Sequence, residues 1–333
     1  DPSLTLWEIY VPPSAKYLNE KVKNKDGDNF TVYTVNLIDS LLEVIEGSKS
    51  PIIIHGQPGH GKTSAVRMLV HALTFNNNKN EDSKPANILM YEFKDLGRLD
   101  LNELEILQKR TPFVKDESFF RGKNTILIID GMDERQIADG NDITLKDFIR
   151  NMFVLSIRLN KDQNTKFNLI MTGRSQFVRY VQPSFASEYH QYEIKDFSLG
   201  QIQRWLTKYS ICKKITPSLV YGKFESMKIT ELIFQPILLH ICSLLLSDPR
   251  GKKLLDEIEE EQITRGKIYE TIIKFTYEKK WQNHPNRSAL PDEESYNRLL
   301  KIISFVLFKK GTEIIKIGDL AQALEKDNRI YNL

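Results

Sequence analysis

Cysteine is scarce in this sequence, with only Cys212 and Cys242 among 333 residues. The two lie far apart without metal-ligand spacing, which excludes a disulfide framework and a zinc site. They fit small buried side chains in a reducing, cytoplasmic compartment. Charge of one sign is missing too: charged residues make up 27% of the chain, yet the formal net charge is only +3. That balance speaks against a dedicated nucleic-acid binder, which shows a concentrated basic face. Local runs such as Lys213-Lys214 and Asp256 to Glu261 read as solvated helix faces. Asp1-Pro2-Ser3 has neither the basic start nor the apolar stretch of a secretory signal. The most apolar segment, Ile229 to Leu246, is interrupted by Glu231, Gln235, Pro236, His240 and Ser243. Its unbroken part falls far short of the ~20 residues that a membrane helix needs, so no membrane partner is expected. No internal repeat occurs. The start at Asp1 and the end at Leu333 are what a piece of a longer polypeptide would show.

What the chain does have is a 41% hydrophobic content, ample for a large core divided among two or three compact units. Residues 1–48 read as a lead-in. They contain a break at Pro12-Pro13, a turn at Asn24 to Asp28, and a helix marked by Val35, Leu37, Ile38, Leu41, Leu42 and Ile45, with Gly47 as its C-cap. Short apolar runs follow at Ile52 to Ile54, Ile88 to Phe93, Thr125 to Ile129, Phe167 to Met171 and Tyr189 to Ile194. Amphipathic stretches lie between them at Lys62 to Leu73, Leu101 to Lys109 and Thr144 to Leu159. Near-continuous apolar strands separated by helices predict a parallel sheet covered on both faces. Phe75 to Lys84, with its run of Asn, reads as a surface excursion.

From Ser198 onward strand patterns vanish. Ser198 and Gln201 form a capping box for a helix through Tyr209. Further helices are expected at Pro217 to Met227, Ile229 to Leu246, Lys252 to Glu260, Ile263 to Trp281 and Pro291 to Lys309. Trp205 and Trp281 read as core packing within them. The expected division is therefore 1–48 lead-in and helix, 49–196 a domain carrying the parallel sheet, 197–290 helical domain, and 291–333 a helix with a partial third unit.

The chemistry starts at Gly56-Gln57-Pro58-Gly59-His60-Gly61-Lys62-Thr63, which fits G-x-x-x-x-G-K-[ST] between an apolar strand and an amphipathic helix. A triphosphate needs several backbone N–H donors turned inward, a shape glycine adopts freely. The helix N-terminus adds a favourable dipole. Gly56, Gly59, His60 and Gly61 form the cup, with no separate chemistry for the His60 ring. Lys62 reaches the β- and γ-phosphates, the Thr63 hydroxyl holds Mg²⁺, and Ser64 is a candidate for the α-phosphate.

A second signal is Thr125-Ile126-Leu127-Ile128-Ile129-Asp130-Gly131-Met132-Asp133-Glu134. An apolar strand ending in Asp delivers a carboxylate to the C-terminal edge of a parallel sheet, the edge where such folds bind ligands. Asp130 is the second metal candidate, and Asp133 and Glu134 are candidates to orient or deprotonate the attacking water. The run resembles the signature of NACHT ATPases of the STAND class, which include animal innate-immune receptors and bacterial antiviral proteins, over about Ser48 to Ser247.

That resemblance implies a three-layer α/β P-loop NTPase with a parallel sheet, followed by an all-helical domain and the start of a winged-helix-like unit. It also implies that ATP or ADP binds with Mg²⁺ and that hydrolysis is slow and regulatory. Nucleotide exchange would control self-association and activation of effector and sensor domains on the same full-length polypeptide. Arg174, in Thr172-Gly173-Arg174, takes the place of the family's γ-phosphate sensor, with a surface Arg or a structural ion pair as the rival readings; Ser175 stands where the family often has proline. Pro236 takes the place of an adenine-contacting proline, with a plain helix start as its rival. No histidine follows His284 to supply the family's winged-helix latch. The alternatives are an AAA+-type remodelling ATPase and a small-molecule phosphotransferase. The absence of N-K-x-D and L-S-G-G-Q stretches argues against a GTPase and an ABC transporter ATPase.

Overall fold

A computed structural model describes residues 5–18, 32–79, 87–96, 103–132, 142–181, 189–213, 217–226, 230–249, 265–277 and 292–310, with isolated positions 251, 253, 318, 320 and 322. Two compact units are present, one of Asp1–Pro217 with Ile233–Leu239, the other of Ser218–Leu232 with His240–Leu333.

Among the described residues the first unit has seven strands: β1 (Ser14–Leu18), β2 (Val32–Asn36), β3 (Ile52–His55), β4 (Asn87–Glu92), β5 (Asn124–Asp130), β6 (Lys166–Gly173) and β7 (His190–Ile194). They form one sheet in the order β2-β1-β7-β3-β6-β5-β4. From β7 to β4 every pairing is parallel, whereas β1 runs antiparallel to both β7 and β2. The antiparallel pair departs from the expected purely parallel sheet. Both strands lie in the segment read as a lead-in, where SAKYL and VYTVN are too short and mixed to announce a strand without the β7 edge that receives them.

The helices of this unit are α1 (Leu6–Ile9), α2 (Leu37–Gly47), α3 (Lys62–Lys79), α4 (Glu103–Arg110), α5 (Asp142–Asn160), α6 (Val178–Val181) and α7 (Leu199–Lys213). Strand alternation explains why β3, β5 and β6 carry no polar rhythm. Ile53, Leu127, Ile129, Leu169 and Met171 face one apolar cluster, which includes Ile106 and Leu107 of α4 and Phe148, Ile149 and Met152 of α5. Ile52, Ile54, Ile126, Ile128 and Ile170 face the other, with Leu37 and Leu41 of α2 and Ala65, Val66 and Leu69 of α3. A sheet buried on both faces needs apolar side chains at odd and even positions alike.

Polar residues fix the ends of the elements. Asn36 caps α2 by accepting from the Ile38 and Asp39 amides. Ser198 and Gln201 make the expected capping box: the Ser198 amide donates to Gln201 Oε1 at 2.9 Å, and the Gln201 amide donates to Ser198 Oγ at 3.3 Å. Gln201 Nε2 also donates to the Pro12 carbonyl at 2.8 Å. α3 continues through Lys79, well into the stretch read as a polar loop. Asn is only modestly unfavourable in a helix, and extending a helix already nucleated is cheap.

The second unit holds α8 (Pro217–Ser226) from Ser218, α9 (Thr230–Ile233) through Leu232, the part of α10 (Pro236–Ser247) from His240, α11 (Arg265–Thr276) and α12 (Glu293–Lys310). Phe224, Cys242 and Leu245 are fully buried there, and the Tyr277 and Tyr296 rings lie 5.3 Å apart. Burial pushes the Cys242 thiol up to about 12, so it remains an uncharged packing group. The single helix expected over Ile229 to Leu246 is split in two, because Pro236 has no N–H to continue a helix and starts a new one instead. The turn at Asn24 to Asp28, the helix at Lys252 to Glu260 and the winged-helix-like start fall outside the described residues, apart from isolated positions. No described helix is long and apolar enough to cross a membrane.

Candidate nucleotide site

The C-terminal ends of β3, β6 and β5 converge on one edge. The loop leaving β3 runs from Gly56 to Gly61 and feeds directly into α3 at Lys62. Gly59 and Gly61 have φ of 82° and 85°, the left-handed region that favours glycine. Gly59 is constrained a second time, because a Cβ there would lie 2.4 Å from Ile237 Cγ2. Lys62 Nζ donates to the Gly56 carbonyl at 2.8 Å and the Gln57 carbonyl at 3.1 Å, so its ammonium lies against the start of the loop. Thr63 and Ser64, in the first turn of α3, are half-buried.

His60 points elsewhere. Its Nδ1 meets the Ile194 carbonyl at 3.2 Å and its Nε2 meets Asp196 Oδ1 at 3.1 Å. Its amide closes a turn onto the Gln57 carbonyl at 3.3 Å. The ring therefore ties the loop to the end of β7.

Register places the remaining groups. His55 pairs with Gly173, so the phosphate loop at Gly56 and the turn at Arg174 start from the same paired position of two neighbouring strands. Ile129 pairs with Met171, which brings Asp130 beside Thr172 on the other flank of β6. Thr172 in turn pairs with Ile54, so Asp130 lies level with Ile54 of β3 at two strand spacings, about 10 Å. Asp130 is buried, and its Oδ1 accepts a hydrogen bond from the Thr172 hydroxyl. That same hydroxyl accepts from the Gly131 amide at 3.0 Å, and Gly131 turns the chain away with φ of 78°. Thr172 is fully buried and makes both bonds with one oxygen. In the sequence its only signal is a polar residue near the end of an apolar strand.

Arg174 is the N-cap of a 3-10 turn, Ser175–Phe177. Pro236, the first residue of α10, is carried to the same loop by its neighbours. The Ile237 amide donates to the Gly59 carbonyl at 3.3 Å, and Gln235 Nε2 donates to the Pro58 carbonyl. Gln235 and Ile237 belong to no motif that the sequence displays. Asp133 and Glu134 lie outside the described residues.

A glycine-shaped loop between the central strand of a parallel sheet and a helix, with a buried Asp ending the strand two places away, defines a P-loop nucleoside triphosphatase. The sequence places it further. Residues 50–212 match the NACHT domain, and this stretch of the chain is a NACHT-type P-loop NTPase domain, an ATPase module.

No curated protein matches the chain. Among solved structures, the chain is similar to the Aeropyrum pernix ORC2 protein in ADPNP-ADP complexes, at 10% identity and TM-score 0.48, covering 96% of this chain and 86% of that one. It is also similar to Drosophila ORC bound to DNA, at 14% identity and TM-score 0.45, covering 90% and 73% respectively. A Thermotoga maritima RuvB variant aligns at 13% identity and TM-score 0.41, covering 87% and 81%. Likenesses this distant carry no conclusion about activity or partner.

Proposed function

We propose that the chain is a regulatory ATPase switch that binds Mg-ATP, hydrolyses it slowly, and couples nucleotide state to self-association and activation of effector domains on the same cytoplasmic polypeptide, in innate-immune or antiviral signalling. The observation that carries the nucleotide site is the loop itself. Gly59 and Gly61 hold left-handed conformations and the Lys62 ammonium rests on the Gly56 and Gln57 carbonyls, two strands from the buried Asp130 carboxylate.

The residues present suit the ligand. Lys62 can exchange two neutral carbonyl acceptors for the β- and γ-phosphates, a charge-assisted and stronger pairing. Thr63 and Asp130 supply oxygen donors for a hard cation, and Ser64 is available to the α-phosphate. Bound magnesium would supply neutralisation of charge on the transferring phosphoryl group. Arg174, which directly follows the His55–Gly173 pair at the end of β6, serves as the γ-phosphate reader, while Asp133 and Glu134 orient and deprotonate the attacking water. Pro236 lies against the base, carried to the loop by Gln235 and Ile237.

The test is equilibrium binding of Mg-ATP to the wild type and to Lys62→Ala. Losing a charge-assisted phosphate contact of about 3 kcal/mol weakens binding on the order of 100-fold. Wild-type affinity in the variant would overturn the reading. Turnover that rises with added DNA or a protein substrate would instead favour the remodelling class.

A further inference from the structure

Arg174 leaves the sheet from a turn that is held on both sides. On one side Gly173 ends β6 beneath a closed aromatic lid: a Cβ on Gly173 would lie 2.9 Å from the Phe177 ring, and Phe177 is itself buried. The Phe177 amide donates to the Arg174 carbonyl at 2.8 Å, which closes the turn. On the other side Ser175 Oγ lies 3.3 Å from His55 Nδ1. His55 is the last residue of β3 and directly precedes Gly56, and its backbone pairs in register with Gly173.

The hydrogen-bonding role of His55 follows from its second partner. Gln191 Nε2 lies 2.9 Å from His55 Nε2. An amide N–H₂ only donates, so Nε2 of the ring accepts and Nδ1 carries the hydrogen. Nδ1–H therefore donates to Ser175 Oγ. The ring is enclosed by its neighbours, and both of its nitrogens are occupied. A chain of side chains thus runs across three adjacent strands, from Gln191 of β7 through His55 of β3 to the turn after β6. It joins the root of the phosphate loop to the residue following Arg174.

We propose that His55 and Ser175 form a positioning pair that holds the Arg174 turn against the phosphate-loop strand, so that the guanidinium is set in place to distinguish ATP from ADP. Neither residue touches nucleotide; both act through the arginine. The inference rests on Arg174 reading the γ-phosphate. A neutral hydrogen bond of ordinary strength makes a difference of about fivefold in an equilibrium, and that is the contribution expected of the pair to nucleotide discrimination.

The experiment compares the affinity of a non-hydrolysable ATP analogue with that of ADP in wild type, Ser175→Ala, Ser175→Thr, His55→Phe, Arg174→Ala and the Arg174→Ala/Ser175→Ala double variant. Ser175→Ala should lower the preference for the ATP analogue about fivefold with ADP affinity unchanged. Ser175→Thr, which keeps the hydroxyl, should restore it, and His55→Phe, which fills the space without a donor, should reproduce the loss. In the Arg174→Ala background Ser175→Ala should add nothing, because there is no guanidinium left to position. A purely structural role would lower both affinities together and would not depend on Arg174. If Arg174→Ala removes the preference and Ser175→Ala preserves it, the positioning role is wrong while the arginine reading stands. If Arg174→Ala itself preserves the preference, the arginine reading falls and the pair falls with it.

Discussion

His55 links the phosphate-loop strand to acid stability, and the size of the effect can be worked out. Burial disfavours its charged form most strongly. Glu193 pulls in the opposite direction, but the Lys195 and Lys62 cations oppose a further positive charge, and the imidazole is held down from 6.5 to about 4. The folded protein therefore binds this proton later than the unfolded chain does. Stability is fully present above pH 6.5 and is lost as the pH falls from there toward 4, because only the unfolded state gains the proton in that window. At about 1.4 kcal/mol per pH unit, the loss by pH 4 amounts to about 3 kcal/mol. The assay is urea unfolding at a series of pH values for the wild type and for His55→Phe. Depressed carboxylates such as Asp116 and Asp162, held down by hydrogen bonds from Ser118 and Thr165, titrate in both proteins and cancel in the comparison. The wild type should lose about 3 kcal/mol more than the variant between pH 7 and pH 4. Parallel curves would show that His55 does not titrate as its burial and neighbours require. A histidine NMR titration giving a midpoint near 6.5 for this ring would refute the reasoning directly.

Three further outcomes are expected. Thr172→Val leaves Asp130 and the Gly131 amide each short of a partner. It should destabilise by about 1–3 kcal/mol and raise the magnesium concentration needed for nucleotide binding, with Thr172→Ser near wild type in a magnesium titration. Gly59→Ala places a side chain at φ of 82° and 2.4 Å from Ile237 Cγ2. It should cost about 2 kcal/mol or more and lower the melting temperature, and an unchanged melting curve would count against the packed loop. Glu134→Gln should bind Mg-ATP normally while lowering single-turnover hydrolysis at least 100-fold, as loss of a general base requires; equal turnover would remove that residue from the catalytic assignment.

The phosphate loop, the buried Asp and the helical character after Ser198 were legible in the chain because each is local. A glycine-rich turn has to sit between a strand and a helix whatever surrounds it, and an apolar run has to be a buried strand when its alternation carries no polar rhythm. The α/β P-loop class follows from those elements alone, as does the NACHT resemblance, carried by Asp130-Gly131-Met132-Asp133-Glu134.

Other features depend on partners distant in sequence. Ser14–Leu18 becomes a strand because β7 presents an unpaired edge to it some 170 positions later. No local rule contains that edge. His55, Ser175 and Gln191 acquire their roles only when three strands lie side by side, and Thr172 becomes the support of Asp130 only through the β5–β6 register. The same holds for Gln235, whose amide meets the Pro58 carbonyl across 177 positions. The sequence alone determined which residues can grip a phosphate and a cation. Tertiary structure decided which side chains hold those residues in place, because hydrogen bonds between strands depend on register, and register is set by the whole buried sheet rather than by any one segment.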